Sequence, residues 1–238
     1  MRLGIRRGLA DETQEIFLRQ QRFVNDISHE LRTPLTVICG WTDILERYGA
    51  QDPELFREAV TSIKSSAQNM QRLVDSLLFL ARAEQGNQPL NKVPLALDEL
   101  LKKFVEDYNS PRLQVTQLTP CKISGDGEFL KKMLSAFIDN ALRYSPPPTK
   151  VKLELTTSPM FATLKIIDCG IGIEKDDCSK IFDRFYRTDK ARTKIGDDSS
   201  VGLGLTVAKW IADRHNITIA VKSKPHEGST FTLRIPTI

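Results

Sequence analysis

From about Asp11 to Tyr48 the apolar residues Val24, Ile27, Leu31, Leu35, Ile38, Leu45 and Tyr48 recur mostly at steps of three and four. That spacing lays them along one narrow stripe of a single long helix. Turn-forming residues follow from Gly49 to Pro53, with Asp52 and Pro53 suited to cap a second helix and open its first turn. This helix has its own stripe: Leu55, Ala59, Ile63, Met70, Leu73, Leu77 and Leu80. Together they predict a helical hairpin. Two helices cannot bury stripes of this length against each other alone, so a second copy is expected to complete a four-helix bundle. The expected state is a homodimer.

Beyond Gly86-Asn-Gln-Pro89 the pattern changes. A helix is predicted near Leu97 to Tyr108, with others near Glu128 to Arg143 and Gly202 to Arg214. Short β-prone runs lie at Leu113 to Leu118, Val151 to Thr156, Ala162 to Asp168, Thr218 to Lys222 and Thr230 to Ile235. Strands and helices do not alternate one for one, which argues against a doubly wound sheet and for a layered α+β sandwich. The chain therefore divides into residues 1–19, a linker or extension of the first helix, residues 20–88, a dimerising helical domain, and residues 89–238, the mixed domain.

Composition narrows the classes. With 238 residues, 40% hydrophobic and 27% charged, the chain can bury a real core. Its 34 Lys and Arg are interleaved with 30 Asp and Glu, leaving +4, which argues against a nucleic-acid partner. Cys39, Cys121, Cys169 and Cys178 form neither a CxxC pair nor a disulfide framework, and a reducing cytoplasm fits them best. No run approaches the roughly 18 apolar residues of a membrane span. The opening residues lack a signal-peptide stretch, and Arg2, Arg6 and Arg7 fit a solvated linker as well as a stub beside a membrane anchor.

Candidate chemistry starts at His29, two residues from both Ile27 and Leu31 and so opposite the apolar seam at about 100° per residue. It should face solvent. Glu30 beside it can accept the proton of one imidazole nitrogen, leaving the other to attack a phosphoryl group in line. Pro34 within the same stripe removes a helix hydrogen bond and invites a kink. The string Ser28-His-Glu-Leu-Arg-Thr-Pro-Leu35 closely resembles the phosphoacceptor box of the sensor histidine kinases.

Five further runs resemble that family's nucleotide motifs in the same order. Leu134-Ser-Ala-Phe-Ile-Asp-Asn-Ala-Leu-Arg-Tyr-Ser145 resembles the N box. Its Asn140 offers a hard oxygen to magnesium, and Arg143 lies on the same helix face to meet phosphate oxygens. The resemblance implies that Tyr144 holds the nucleotide. Ile166-Ile-Asp-Cys-Gly-Ile-Gly-Ile173 ends a strand in Asp-x-Gly-x-Gly, where Asp168 can accept from an adenine amino group while Gly170 and Gly172 let backbone approach the ring. With Ile173 this resembles the G1 box, and Ile181-Phe-Asp-Arg-Phe-Tyr-Arg187, holding Phe182 and Arg187, resembles the F box. Val201-Gly-Leu-Gly-Leu-Thr206 enters a helix whose first amides can cradle phosphates, as in the G2 box, through Gly202, Leu203, Gly204 and Leu205. Between F and G2 boxes, Arg184 to Ser200 reads as a lid bearing Arg187, Lys190, Arg192 and Lys194. Glu227-Gly-Ser-Thr-Phe231 resembles the last glycine motif, with Thr230 near adenine.

The resemblance covers about residues 20 to 238 and implies an α plus α+β fold: a hairpin in a dimeric four-helix bundle, then an α/β sandwich of the histidine kinase ATPase type. It implies ATP and Mg2+ as cofactors, autophosphorylation of His29, transfer to an aspartate of a response regulator receiver domain, and removal of that phosphoryl group with Thr33. The parent protein is expected to be membrane-anchored by segments outside this sequence, with this part at the cytoplasmic face of the cell membrane. Ser200, Val201, Ala136 and His226 depart from the family's glycines, hydroxyl residue and Asn. The related chaperones, topoisomerases and mismatch-repair proteins place a Glu where this chain has Ala136, which separates a hydrolytic ATPase from a kinase. An inactive dimeric scaffold is the third reading.

Overall fold

The computed structural model describes residues 2–49, 51–188 and 202–238. The chain forms two compact units, one reaching Val74 and the other starting at Asp75. No helix among the described residues is long and apolar enough to cross a membrane.

The first unit is the predicted hairpin. Helix α1 runs Arg2–Tyr48 and stays unbroken through Pro34, so the expected kink is no more than a missing bond in a continuous helix. Helix α2, Pro53–Glu84, starts as predicted. Asp52 Oδ1 accepts from the N–H groups of Glu54 (2.9 Å) and Leu55 (3.1 Å), satisfying two of the amides that a helix start leaves bare. Ala59 and Leu73 are buried, whereas Val24 (55%), Leu35 (50%) and Tyr48 (55%) of the α1 stripe stay exposed.

The second unit contains the last turns of α2 and the mixed domain. In chain order come β1 (Val93–Ala96), α3 (Leu97–Tyr108), β2 (Leu113–Leu118), β3 (Lys122–Gly125), α4 (Gly127–Tyr144), β4 (Val151–Thr157) and β5 (Phe161–Ile167). Two 3-10 turns, Lys175–Asp177 and Lys180–Phe182, precede α5 (Gly204–Arg214), β6 (Thr218–Lys224) and β7 (Gly228–Pro236). The main sheet has the order β2-β4-β5-β7-β6, parallel only between β2 and β4. Leu153, Ile166 and Phe231 lie in register across three strands and are buried, as are Leu155, Leu164 and Leu233. Their neighbours Lys152 and Lys165 point the other way and are exposed, so one face of the sheet carries the core. Phe137 of α4 meets Phe231 with ring centroids 5.3 Å apart, fixing α4 on that face.

The small sheet of β1 and β3 was not legible in the sequence. Each strand is four residues long, and Val93 and Pro94 are exposed, so no apolar alternation marks them.

Helices α4 and α5 are pinned to each other at several points. Phe79 near the end of α2 stands edge-on to Phe129 of α4 (5.8 Å) and Trp210 of α5 (5.1 Å), with Lys132 Nζ 4.4 Å from its ring. At the start of α4, Asp126 Oδ1 caps the helix by accepting from Glu128 (3.1 Å) and Phe129 (3.3 Å) N–H, and Oδ2 accepts from Asn91 N–H (3.0 Å). The Asp126 N–H itself donates to His215 Nε2 at 3.0 Å. His215 Nδ1 lies 2.8 Å from the Ile211 carbonyl, which makes Nδ1 the protonated nitrogen and Nε2 the acceptor.

Buried at 5% exposure, this ring is held neutral. Burial lowers its pKa most, with Lys92 adding to that, against the Ile211 bond and the Asp126 charge. A histidine whose pKa is depressed on folding contributes stability above its unfolded pKa, about 6.5, and that contribution is lost as pH falls through the folded value. Protonation also replaces the acceptor of the Asp126 N–H with a donor. Thermal unfolding from pH 8 to pH 5 is expected to show a steeper loss of Tm below about pH 6.5 in the wild type than in His215→Gln. Parallel curves would contradict the assignment.

Candidate functional site

The phosphate-binding candidates lie where α4 and α5 pass antiparallel, since Trp210 meets Phe129 while a Cβ on Gly204 would stand 3.8 Å from the Ala136 methyl. Asn140 is one turn beyond Ala136 on the same face of α4, and Arg143 follows three residues later; both are half-buried. Leu203 precedes α5 and makes no side-chain capping bond itself, and the first-turn N–H groups lie at the positive end of the helix, where an anion is favoured. The Thr206 hydroxyl in this turn is buried and has no hydrogen-bond partner among the described residues. Ala136 adds no charge or bulk here.

The base-binding candidates form a second cluster built on backbone contacts. Asp168, at the end of β5, is buried, and its Oδ1 accepts from the N–H groups of Gly170 (2.8 Å) and Ser229 (3.2 Å). Burial raises its carboxyl pKa, and those two bonds with the Ser229 side chain oppose the rise. Gly172 has φ +70, and a Cβ there would come within 2.1 Å of the Lys224 carbonyl. Gly228 has φ +98, with a Cβ falling 2.1 Å from the Asp168 carbonyl. Gly170 lies over the Tyr144 carbonyl, which accepts from Ile171 N–H at 3.2 Å. Ile173 N–H donates to Ser223 Oγ at 2.8 Å, and Thr230 faces Ile167 across β5 and β7. Tyr144, Asp168, Gly170, Gly172, Ile173 and Thr230 therefore gather around the end of β5 in one cluster. His226, with φ +65, donates its N–H to the Ile171 carbonyl at 2.8 Å.

Phe182 ends a 3-10 turn that packs on α5, and Arg187 is half-buried nearby in sequence. Phe185 N–H donates to the Gly202 carbonyl at 3.2 Å, joining the F-box segment to the glycines Gly202 and Gly204 and to the buried Leu203 and Leu205. Lys190, Arg192, Lys194 and Ser200 of the lid reading, and Val201 at the start of the G2-box run, lie outside the described residues.

On α1, His29 is exposed, as its helical phase requires, with Thr33 one turn along and also exposed; Glu30 is half-buried. The Thr33 hydroxyl is 3.5 Å from the His29 carbonyl, at the long limit of a hydrogen bond. Sequence reasoning missed Ser223, Ser229 and Gly228. Gly228 lay inside the quoted Glu227-Gly-Ser-Thr-Phe231 run, but nothing there showed that it packs on Asp168.

Residues 19–86 match the His Kinase A (phospho-acceptor) domain, and residues 125–238 match the histidine kinase-, DNA gyrase B- and HSP90-like ATPase domain. The chain is 36% identical over 224 residues to the sensor histidine kinase YkoH of Bacillus subtilis, covering 93% of this chain and 48% of that protein. It is 36% identical over 233 residues to the probable sensor histidine kinase TcrY of Mycobacterium tuberculosis, covering 95% and 47%. The structure of the Acinetobacter baumannii histidine kinase AdeS matches with a TM-score of 0.67 and 26% identity, covering 88% of this chain and 98% of that one. The chain belongs to the sensor histidine kinase family and carries its dimerisation and catalytic domains. It spans about half the length of the curated relatives it matches.

The close packing at the glycines can be tested directly. Gly172→Ala places a methyl against the Lys224 carbonyl at a φ that L residues rarely adopt, and is expected to destabilise the second unit by about 1–3 kcal/mol. Denaturant unfolding would check it, and an unchanged midpoint would refute the packing.

Proposed function

We propose that this chain is the kinase core of a sensor histidine kinase: it binds Mg2+-ATP in the second unit, autophosphorylates His29 and passes the phosphoryl group to an aspartate of a response regulator receiver domain. The observation that carries the reading is the pairing of an exposed His29 followed by Glu30 on one unit with the glycine-led start of α5 facing the Asn140 helix on the other. Residues 20–88 are the dimerisation and phosphotransfer domain and residues 89–238 the catalytic domain.

The residues present fit ATP. Asp168 accepts from the adenine amino group, Gly170 and Gly172 bring backbone to the ring, and Tyr144 and Thr230 border it. The α5 amides and Arg143 hold phosphate oxygens, and Asn140 contributes one oxygen to magnesium. Among the described residues no group of three His, Cys, Asp or Glu side chains is arranged to hold a metal, so magnesium would arrive with the phosphates. When bound, it would offset charge on the transferring phosphoryl group. Glu30 holds the proton on one His29 nitrogen and leaves the other to attack.

Ala136 favours transfer over hydrolysis, because the position from which a Glu would activate water carries only a methyl group. The exposed α1 stripe supports homodimerisation through a four-helix bundle. The histidine kinase ThkA, whose fold is similar (TM-score 0.67, 19% identity), was solved with the response regulator TrrA, and a receiver domain is the partner proposed here. The parent protein is proposed to be anchored in the membrane, with this core on the cytoplasmic face.

Incubation with labelled Mg2+-ATP is expected to give acid-labile label on the wild type and none on His29→Gln, which still binds ATP. Asn140→Ala should lose most of the label, by tenfold or more. Persistent label on His29→Gln would sink the assignment. For the regulator, Thr33→Ala is expected to keep autophosphorylation near wild type while slowing loss of label from the phosphorylated receiver domain. Equal decay with both proteins would remove Thr33 from that step.

A further inference from the structure

The segment that follows α4 is Ser145-Pro146-Pro147-Pro148-Thr149, and its three prolines have no backbone N–H to donate. Within it, the Thr149 N–H and hydroxyl both donate to the Pro146 carbonyl. Arg112, at the start of β2, ties the segment to the sheet: its Nε donates to the Thr149 carbonyl at 3.0 Å and its Nη2 to the Ser145 carbonyl at 2.8 Å. The backbone of Arg112 is itself fixed, because its carbonyl accepts from Val151 N–H at 2.8 Å where β4 pairs with β2. A planar guanidinium presents both donors from one rigid fork, which the single ammonium of a lysine does not copy. Ser145 follows Tyr144, whose carbonyl accepts from Ile171 N–H at 3.2 Å and lies 2.7 Å from where a Cβ on Gly170 would stand. Gly170 N–H in turn donates to Asp168 Oδ1 at 2.8 Å. The carbonyl that Arg112 holds is therefore the neighbour of the carbonyl on which the Asp-x-Gly-x-Gly turn packs, although Arg112 lies outside every nucleotide motif.

We propose that Arg112 is a positioning residue for the base end of the nucleotide site: by holding the Ser145 and Thr149 carbonyls it sets the Tyr144 peptide against which Gly170 and Ile171 pack, and so the place of the Asp168 carboxylate. The inference rests on the reading of Asp168 as the acceptor of the adenine amino group. The phosphate end has its own supports in the Asp126 bond to His215 and the packing of Phe137 on Phe231. Arg112 therefore controls affinity for the ring and not for the phosphates.

Titration calorimetry on the full chain with adenosine, and separately with Mg2+-tripolyphosphate, tests it. Arg112→Gln is expected to weaken adenosine about threefold to tenfold through lost preorganisation and to leave tripolyphosphate unchanged. Arg112→Lys, which offers one point donor in place of the fork, should fall between Arg112→Gln and wild type for adenosine. A purely structural loss would lower the folded fraction and weaken both ligands alike. If Arg112→Gln does not fold, Arg112→Lys carries the same comparison of the two ligands. Unchanged adenosine affinity in the folded variant, or an equal loss for tripolyphosphate, would overturn the proposal. Asp168→Asn is the separate control: if it binds adenosine as tightly as wild type, the reading of Asp168 fails and takes the proposal with it, whereas a weakened Asp168→Asn beside an unaltered Arg112→Gln defeats the proposal alone.

Discussion

The hydrogen bond from the Asp126 backbone to His215 is the constraint on which the phosphate end of the site depends. It joins the start of α4 to the end of α5, and because the helices run antiparallel, fixing those ends sets how far each extends past the other. At the opposite end that register brings Gly204 against Ala136 and leaves Asn140 a turn beyond. Phe79, Phe129 and Trp210 brace the same pair of helices from the side. A slip of one turn, about 5.4 Å, would move the α5 amides away from Asn140, with which they are proposed to act.

The base end is set differently. Here backbone packs on backbone: Gly172 and Gly228 each sit where a single added carbon would overlap a carbonyl oxygen, and Asp168 is held by two amides, those of Gly170 and Ser229. A buried carboxylate with fixed donors on one oxygen is preorganised to accept from a ligand amino group without rearranging. Two rigid ends, one charged and one built from close backbone, suit a ligand with phosphates at one end and a flat ring at the other.

Much of this was legible in the sequence, and for physical reasons. The hairpin, the helix from Leu97 to Tyr108 and the core strands have strong periodicity, and the polar boxes lie at their ends. Short edges were not legible: β1 and β3 carry exposed Val93 and Pro94 and gain their order from each other. Long-range polar contacts were equally silent. Nothing local marks His215 as the partner of an amide 89 residues away, or Tyr108 as the partner of Asp139. Gly204 opens α5 two residues later than Gly202 because Gly202, with φ +71, is used to turn the chain against Phe185.

In the function proposed for this chain the γ-phosphoryl group leaves ATP for a histidine rather than for water. The most direct measurement counts three products in one single-turnover reaction of the full chain with Mg2+-ATP: ADP, phosphoryl groups on His29 by mass spectrometry under neutral conditions, and free phosphate. Early ADP is expected to be matched one for one by phosphohistidine at His29, with free phosphate lagging behind. ADP matched from the outset by free phosphate, with His29 unmodified, would contradict it.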